Sequence, residues 1–250
     1  MDITNTVTAT TAIFALGSPP ISVCWVGGTG IGKTAEARRL AETLKLQLSY
    51  VPIRADDWAG LIIPSTDKTR ITFIPSDPLR LAMDTACLVY LDEINRVDQY
   101  SRAQLLEVIG ERTIGGKSLH PDTRVLATCN PESAEYDTKI SDNALKTRMI
   151  ALPIVSTRAT TAAWMKKHHS AEETAWALSA YDLAPELFNA GEVAWPLSPN
   201  RRLLSMLVRI RRLGLPQNNE IMTFNLGDRL ATPLLLNEKY RKVLHANIIA

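Results

Sequence analysis

The sequence predicts an α/β fold: a central parallel sheet flanked by helices, followed by a smaller all-helical domain. Two observations carry this expectation. Short apolar runs rich in β-branched residues alternate with stretches of helical spacing up to about Val155, and beyond it only helical patterns remain. Strands that are apolar nearly throughout suit a parallel sheet covered on both faces.

The strand candidates, in order, are "ISVCWV", "LQLSYVPI", "CLVYLDE", "TRVLATCN" and "MIALPIV". Helical spacing falls between them at Thr34 to Leu46, Pro75 to Thr85 and Gln99 to Glu111. The later helices are "TRATTAAWMKKHH", "SAEETAWALSAYDL", "SPNRRLLSMLVRIRRLG" and a segment running to "LLLNEKYRKVLHANIIA". The boundary is therefore expected near Ile154 to Arg158, with an α/β core over 1–154 and a helical domain over 155–250. Two β-prone hairpins interrupt the core: "GLIIP" against "TRITFI" near 60–75, and "RTIGGKSLHPDTRV" near 112–122.

Composition narrows the function classes. Of 250 residues, 46% are hydrophobic, which is enough for a sizeable core. The formal net charge is +2, so a polyanion would have to be met locally rather than by an overall basic coat. Cys24, Cys87 and Cys129 form no close sequence pair and lie in or beside apolar runs, as buried inert thiols do. The opening "MDITNTVTAT" has no apolar signal region, and no run reaches the ~18 apolar residues of a membrane span. A soluble cytoplasmic protein that does not engage a membrane is expected.

The chemistry is concentrated in "GGTGIGKT". Gly27, Gly32, Lys33 and Thr34 satisfy the G-x-x-x-x-G-K-[ST] spacing between a strand and a helix. Glycines at 27, 28, 30 and 32 free the backbone to point successive N–H groups at phosphate oxygens, and a helix starting at Lys33 adds its positive end. Gly28, Thr29, Gly30, Ile31, Gly32, Lys33 and Thr34 are thus the expected phosphate cradle, with Lys33 on the terminal phosphates and the Thr34 hydroxyl on Mg²⁺. Further along, "CLVYLDEINRV" closes an apolar strand with two acids. Asp92 is expected to hold Mg²⁺ and Glu93 to polarise the attacking water. The strand "TRVLATCNP" ends on Asn130, placed to touch the γ-phosphate of ATP and orient that water. His168 and His169 end a helix beside Lys166 and Lys167, where cations suit the helix C-terminus better than a metal would.

With these elements in this order, the chain resembles the AAA+ ATPases, and among them the MoxR group with its CbbQ and NorQ relatives. The likeness rests on "GGTGIGKT", "LDEINRVDQYSRAQLLEVIGERTI", "VLATCNP" and "ALKTRMIALPI", and covers most of Ile21 to Leu152. The resemblance implies a ring, usually hexameric, that binds ATP between subunits. It implies further that Arg148, in "ALKTRM", reaches the neighbouring subunit's nucleotide, although Met149 follows where the family usually has phenylalanine. "LSPNRRLLSML" resembles the family's lid sensor; Asn200 intervenes, so Arg201 or Arg202 could face the γ-phosphate, and Arg201 is favoured. By the same resemblance the hairpins line or cap a pore, where Trp58, Ile62 and Ile63 either grip a partner or, for Trp58, anchor the hairpin.

The expected function is remodelling or activation of a partner protein, often one carrying a von Willebrand factor type A domain in this family. The alternative is a motor or loader acting on nucleic acid, which the near-neutral charge and the lack of an appended DNA-binding module disfavour.

Overall fold

A computed structural model of the chain describes residues 1–17, 19–53, 58–67, 69–97, 101–131, 143–183 and 201–212. Contacts divide it into two units, one comprising Met1, Ile3–Gly27 and Lys33–Ile154, the other Asp2, Gly28–Gly32 and the chain from Val155 onward.

The first unit is built on a five-stranded parallel sheet in the order β2-β5-β8-β1-β9. These strands are β1 (Ser22–Gly27), β2 (Gln47–Pro52), β5 (Cys87–Asp92), β8 (Arg124–Cys129) and β9 (Met149–Ile154). The five apolar runs read from the sequence are the five strands of this sheet. Every residue of β5 is buried, because the strand has a neighbour on each side and is covered on both faces. Burying side chains such as Leu88, Val89 and Leu91 contributes about 1.5–3 kcal/mol each. Alternation along the strands separates two faces. Cys87, Val89, Leu91, Val125, Ala127, Cys129 and Cys24 join one apolar cluster with Leu79, Leu105 and Val108. Tyr90 and Asp92 leave from the other face of β5.

Helices α2 (Lys33–Leu44) and α3 (Asp77–Asp84) connect strands of the sheet, as their spacing predicts. The segment before β8 begins as α4 (Arg102–Leu106) and widens into a π-helical turn over Glu107–Glu111. The start of the predicted helix at Gln99 lies outside the described residues. Two small hairpins are present: β3 (Gly60–Pro64) against β4 (Ile71–Pro75), and β6 (Thr113–Ile114) against β7 (Lys117–Ser118). A short helix α5 (Asn143–Thr147) leads into β9.

An N-terminal helix α1 (Ile3–Phe14) has no counterpart in the sequence reading. Its threonines disfavour helix as a propensity, yet Thr8, Thr10 and Thr11 turn their hydroxyls back onto the carbonyls of Thr4, Thr6 and Val7. Buried Thr10 also accepts the indole N–H of Trp25 at 2.8 Å, giving the largest fully buried side chain its polar partner.

The second unit contains α6 (Arg158–His168), α7 (Ala171–Leu183) and α8 (Arg201–Arg212). Thr157 caps α6 through a reciprocal pair of bonds with Thr160. His168 ends α6 and His169 is its C-terminal cap, with Lys166 and Lys167 in the last turn. The His169 side chain is buried, Nε2 meets Ser205 Oγ at 2.9 Å, and burial lowers its pKa below the ordinary histidine value. The proposed C-terminal helix running to Ala250 lies outside the described residues. Among the described residues no helix is long and apolar enough to cross a membrane.

Candidate functional site

β1 ends at Gly27 and α2 begins at Lys33, so the glycine loop links a central strand to a helix N-terminus. Gly30 (φ 76°) and Gly32 (φ 101°) occupy the left-handed region, where a side chain would be strained. Gly28 does not, and an added Cβ there would meet nothing within 4 Å. Two of the loop's glycines are therefore demanded by the backbone itself.

Lys33 is only 8% exposed, and its Nζ donates to Gly27 O at 2.6 Å and to Asn130 Oδ1 at 3.1 Å. Burial lowers its pKa from the ordinary lysine value, while the charges of Asp92 and Glu93 act in the opposite direction. The cation of the loop and the polar residue at the end of β8 are thus brought together, as the order of the motifs implied. The Asn130 amide nitrogen is buried with no hydrogen-bond partner. A buried donor without an acceptor, beside a buried ammonium, is chemically suited to an anion.

Asp92 closes β5 and is itself buried. Its Oδ1 accepts from Thr128 Oγ1 at 2.9 Å and from Tyr90 Oη at 3.1 Å, and its Oδ2 accepts from Tyr50 Oη at 2.9 Å. The two tyrosines sit opposite each other in the β2–β5 register, with ring centroids 5.7 Å apart and planes 24° apart. Tyr90 Oη also lies 3.2 Å from Thr34 Oγ1. Burial raises the Tyr90 pKa well above the ordinary phenol value, so the hydroxyl keeps its proton. Tyr50, Tyr90 and Thr128 were not singled out in the sequence. The available signal was a tyrosine two residues before Asp92, on the same face of an otherwise apolar strand.

Glu93 follows in a left-handed conformation (φ 59°, ψ 50°), unusual for a residue with a Cβ and costing about 1–2 kcal/mol. The turn takes Glu93 off the line of β5. Its N–H donates to Thr128 Oγ1 at 3.2 Å, and its carboxylate pairs with Arg96 Nε at 3.2 Å. Two adjacent acids thus receive different surroundings, one enclosed by hydroxyls and the other facing a half-exposed arginine.

Arg148 lies between α5 and β9. Its stem runs over Gly110, where an added Cβ would fall 2.3 Å from Cδ, and its guanidinium donates to Ala144 O at 3.1 Å and lies 3.8 Å from Glu111. Arg201 is buried in the second unit, donating to Ile31 O at 3.0 Å, Thr160 Oγ1 at 2.6 Å and Thr161 Oγ1 at 3.3 Å. Arg202 is exposed. Of the hairpin residues, Trp58 is in the apolar core, whereas Ile62 (62%), Ile63 (44%) and Ile71 (74%) are exposed. Trp58 is therefore an anchor and offers no gripping surface. All three cysteines are buried and free, and Cys24 and Cys129 bring their sulfurs within 3.7 Å.

A glycine loop opening a helix, a buried lysine drawn to the end of a neighbouring strand, and paired acids on the next strand define a P-loop nucleotide-binding α/β protein. Residues 22–149, slightly more than half of the chain, match the AAA domain family (dynein-related subfamily), and the chain belongs to that family of AAA+ ATPases. Similar solved structures include two variants of RuvB from Thermotoga maritima. The proline-to-glycine variant has a TM-score of 0.52 at 16% identity, covering 97% of this chain and 69% of that one. The lysine-to-arginine variant has a TM-score of 0.50 at 14% identity, covering 96% and 69%. At this identity the likeness is one of fold.

Proposed function

We propose that the chain is a Mg²⁺-dependent ATPase of the MoxR type, working as a ring of subunits, six in number, that remodels or activates a partner protein. The observation that carries the reading is the convergence at the ends of three adjacent strands. Lys33 meets Asn130 there, and Asp92 is linked through one hydroxyl to Thr34.

In this reading the loop 28–32 and Lys33 hold the phosphates of ATP, and the orphaned Asn130 amide donates to the γ-phosphate or the attacking water. Asp92 and Thr34 would hold Mg²⁺; their hard oxygen donors suit that ion, which when bound neutralises charge on the β- and γ-phosphates. Glu93, released from Arg96, accepts a proton from water as the water oxygen attacks the γ-phosphorus. The bond to the bridging oxygen breaks, and ADP and phosphate leave. Arg148 acts on a neighbouring subunit's nucleotide, and Arg201 senses nucleotide from a lid domain spanning 155–250. The exposed isoleucines of the first hairpin face the client or adaptor, for which a von Willebrand factor type A domain is the candidate partner, and the site of action is the cytoplasm.

The Glu93→Gln variant tests the centre of this reading. It keeps the shape of the side chain and loses the base, so ATP stays bound while turnover falls by about 10²–10⁴. Parental turnover would remove Glu93 from this role. Comparing stimulation of the parent by a protein partner and by single-stranded DNA decides the client class. Stimulation by DNA alone would replace the partner-protein reading with that of a nucleic-acid motor.

A further inference from the structure

β5 reads Cys-Leu-Val-Tyr-Leu-Asp, and Tyr90 carries its one side-chain oxygen besides the terminal carboxylate. A phenol buried in such a strand costs about 1–3 kcal/mol unless its hydroxyl finds partners. Tyr90 finds them in a row, with Thr34 Oγ1 at 3.2 Å on one side and Asp92 Oδ1 at 3.1 Å on the other. Thr128 Oγ1 is farther away at 3.5 Å, and its own proton goes to Asp92. The single phenolic proton is drawn to the charged acceptor, Asp92, which leaves a Tyr90 lone pair to accept the proton of Thr34. Stacking against Tyr50 holds the ring, and so the height of the hydroxyl.

A hydroxyl that gives a lone pair to a cation must direct its proton away from the cation, toward an acceptor. Asp92 and Thr34 have Tyr90 Oη between them as a shared partner. We propose that Tyr90 is a positioning residue that relays the acceptor strength of Asp92 to the Thr34 hydroxyl, and so orients Thr34 toward Mg²⁺. This rests on the Mg²⁺–nucleotide reading of the loop. The ring of Tyr90 touches no reacting atom, and its effect is on metal affinity.

The test is a Mg²⁺ titration of the full chain bound to N-methylanthraniloyl-ATP, following fluorescence after nucleotide binding has been measured in EDTA. In Tyr90→Phe the Mg²⁺ midpoint should rise about tenfold, as expected for an outer partner of a metal ligand, with unchanged nucleotide affinity in EDTA. Tyr50→Phe should shift the midpoint less, because Tyr50 donates to Oδ2 on the far side of the carboxylate from the relay. The effect of Tyr90→Phe should vanish in a Thr34→Ala background, since a relay with no receiver carries nothing. An unshifted midpoint in Tyr90→Phe, or additive shifts in the double variant, overturns the relay alone. A parent whose nucleotide binding does not respond to Mg²⁺ overturns the metal reading and the relay together. Should Tyr90→Phe fail to fold, 3-fluorotyrosine placed at position 90 gives a second readout: its ¹⁹F resonance should move when Mg²⁺ joins the bound nucleotide, and a fixed resonance overturns the relay.

Discussion

Two sets of cations on the first unit are held in opposite ways: Lys33 at the end of the sheet where β1 finishes, and two arginines, of which Arg148 lies at the opposite end, before β9. Lys33 is buried, short of water, and tied to a backbone carbonyl and an amide by the packing of β1, α2 and β8. Arg96 and Arg148 have side chains 45% and 38% exposed, and their carboxylate partners lie at 3.2 and 3.8 Å. The Arg148–Glu111 pair, open to solvent on both sides, is of a kind that contributes about 0–1 kcal/mol, little enough to be exchanged for another partner. Lys33 is positioned by the packing of this chain's own strands and helix, whereas the Arg96 and Arg148 side chains are partly open to solvent.

The effect on nucleotide binding that would break this contrast is expected at Lys33. Lys33→Ala should weaken nucleotide binding on the order of a hundredfold, as loss of charge-assisted bonds does. It should not destabilise the nucleotide-free protein near neutral pH, because the cation it removes is desolvated. The sign follows from the lowered pKa. Below its folded pKa, Lys33 carries its charge in both states and burial opposes folding in full. As pH rises from that value toward the ordinary lysine range, this opposition fades. The parent should therefore gain stability relative to Lys33→Ala over that window, measured by thermal melts without nucleotide. Near-parental ATP affinity in the variant would defeat the phosphate-loop assignment.

Arg148→Ala comes next. Each subunit should still bind ATP through its own Lys33 and Thr34, while turnover falls about 10³-fold. Mixing Arg148→Ala with Glu93→Gln subunits should restore some hydrolysis, because some interfaces then join an intact Glu93 to an intact Arg148. Mixed rings that form and show no rescue would place Arg148 outside the neighbour's site.

Gly110→Ala is the smallest perturbation and sharpens the comparison. A Cβ there falls 2.3 Å from Arg148 Cδ and 2.6 Å from Nε, so the arginine must lift away from its resting place. What moves is a flexible half-exposed chain, and alanine favours the helical turn by up to about 1 kcal/mol, so the melting temperature should hold or rise. If parking beside Glu111 restrains Arg148 by the worth of an exposed pair, turnover in assembled protein should rise by up to about fivefold through kcat, with nucleotide affinity unchanged. A fall in kcat would instead make Gly110 and Glu111 part of the active placement of Arg148.

The strands, the glycine loop and the Asp92–Glu93 pair were legible because their signals are local. Apolar runs of strand length, glycines at fixed spacing and acids closing a strand each report a constraint acting over a few neighbouring residues. Helix α1 was not legible. Its threonines have poor helix propensity, and both their back-bonding to carbonyls and the contact of Thr10 with Trp25 exist only once the helix is packed. Trp58 was equally open in sequence, since a tryptophan before a hairpin can point into the core or out of it, and packing placed it inside.

The sequence by itself determined that a phosphate-binding loop joins a strand to a helix, that two acids close a later strand, and that the sheet is parallel and buried. Only the tertiary structure decided how the two acids differ. Asp92 is enclosed by Tyr50, Tyr90 and Thr128 from three strands, and Glu93 is turned away through a left-handed residue to meet Arg96. The reason is physical: burial and hydrogen bonding are set by neighbours up to 42 residues away along the chain, from Tyr50 to Asp92. No local pattern encodes which of two adjacent carboxylates those neighbours will surround.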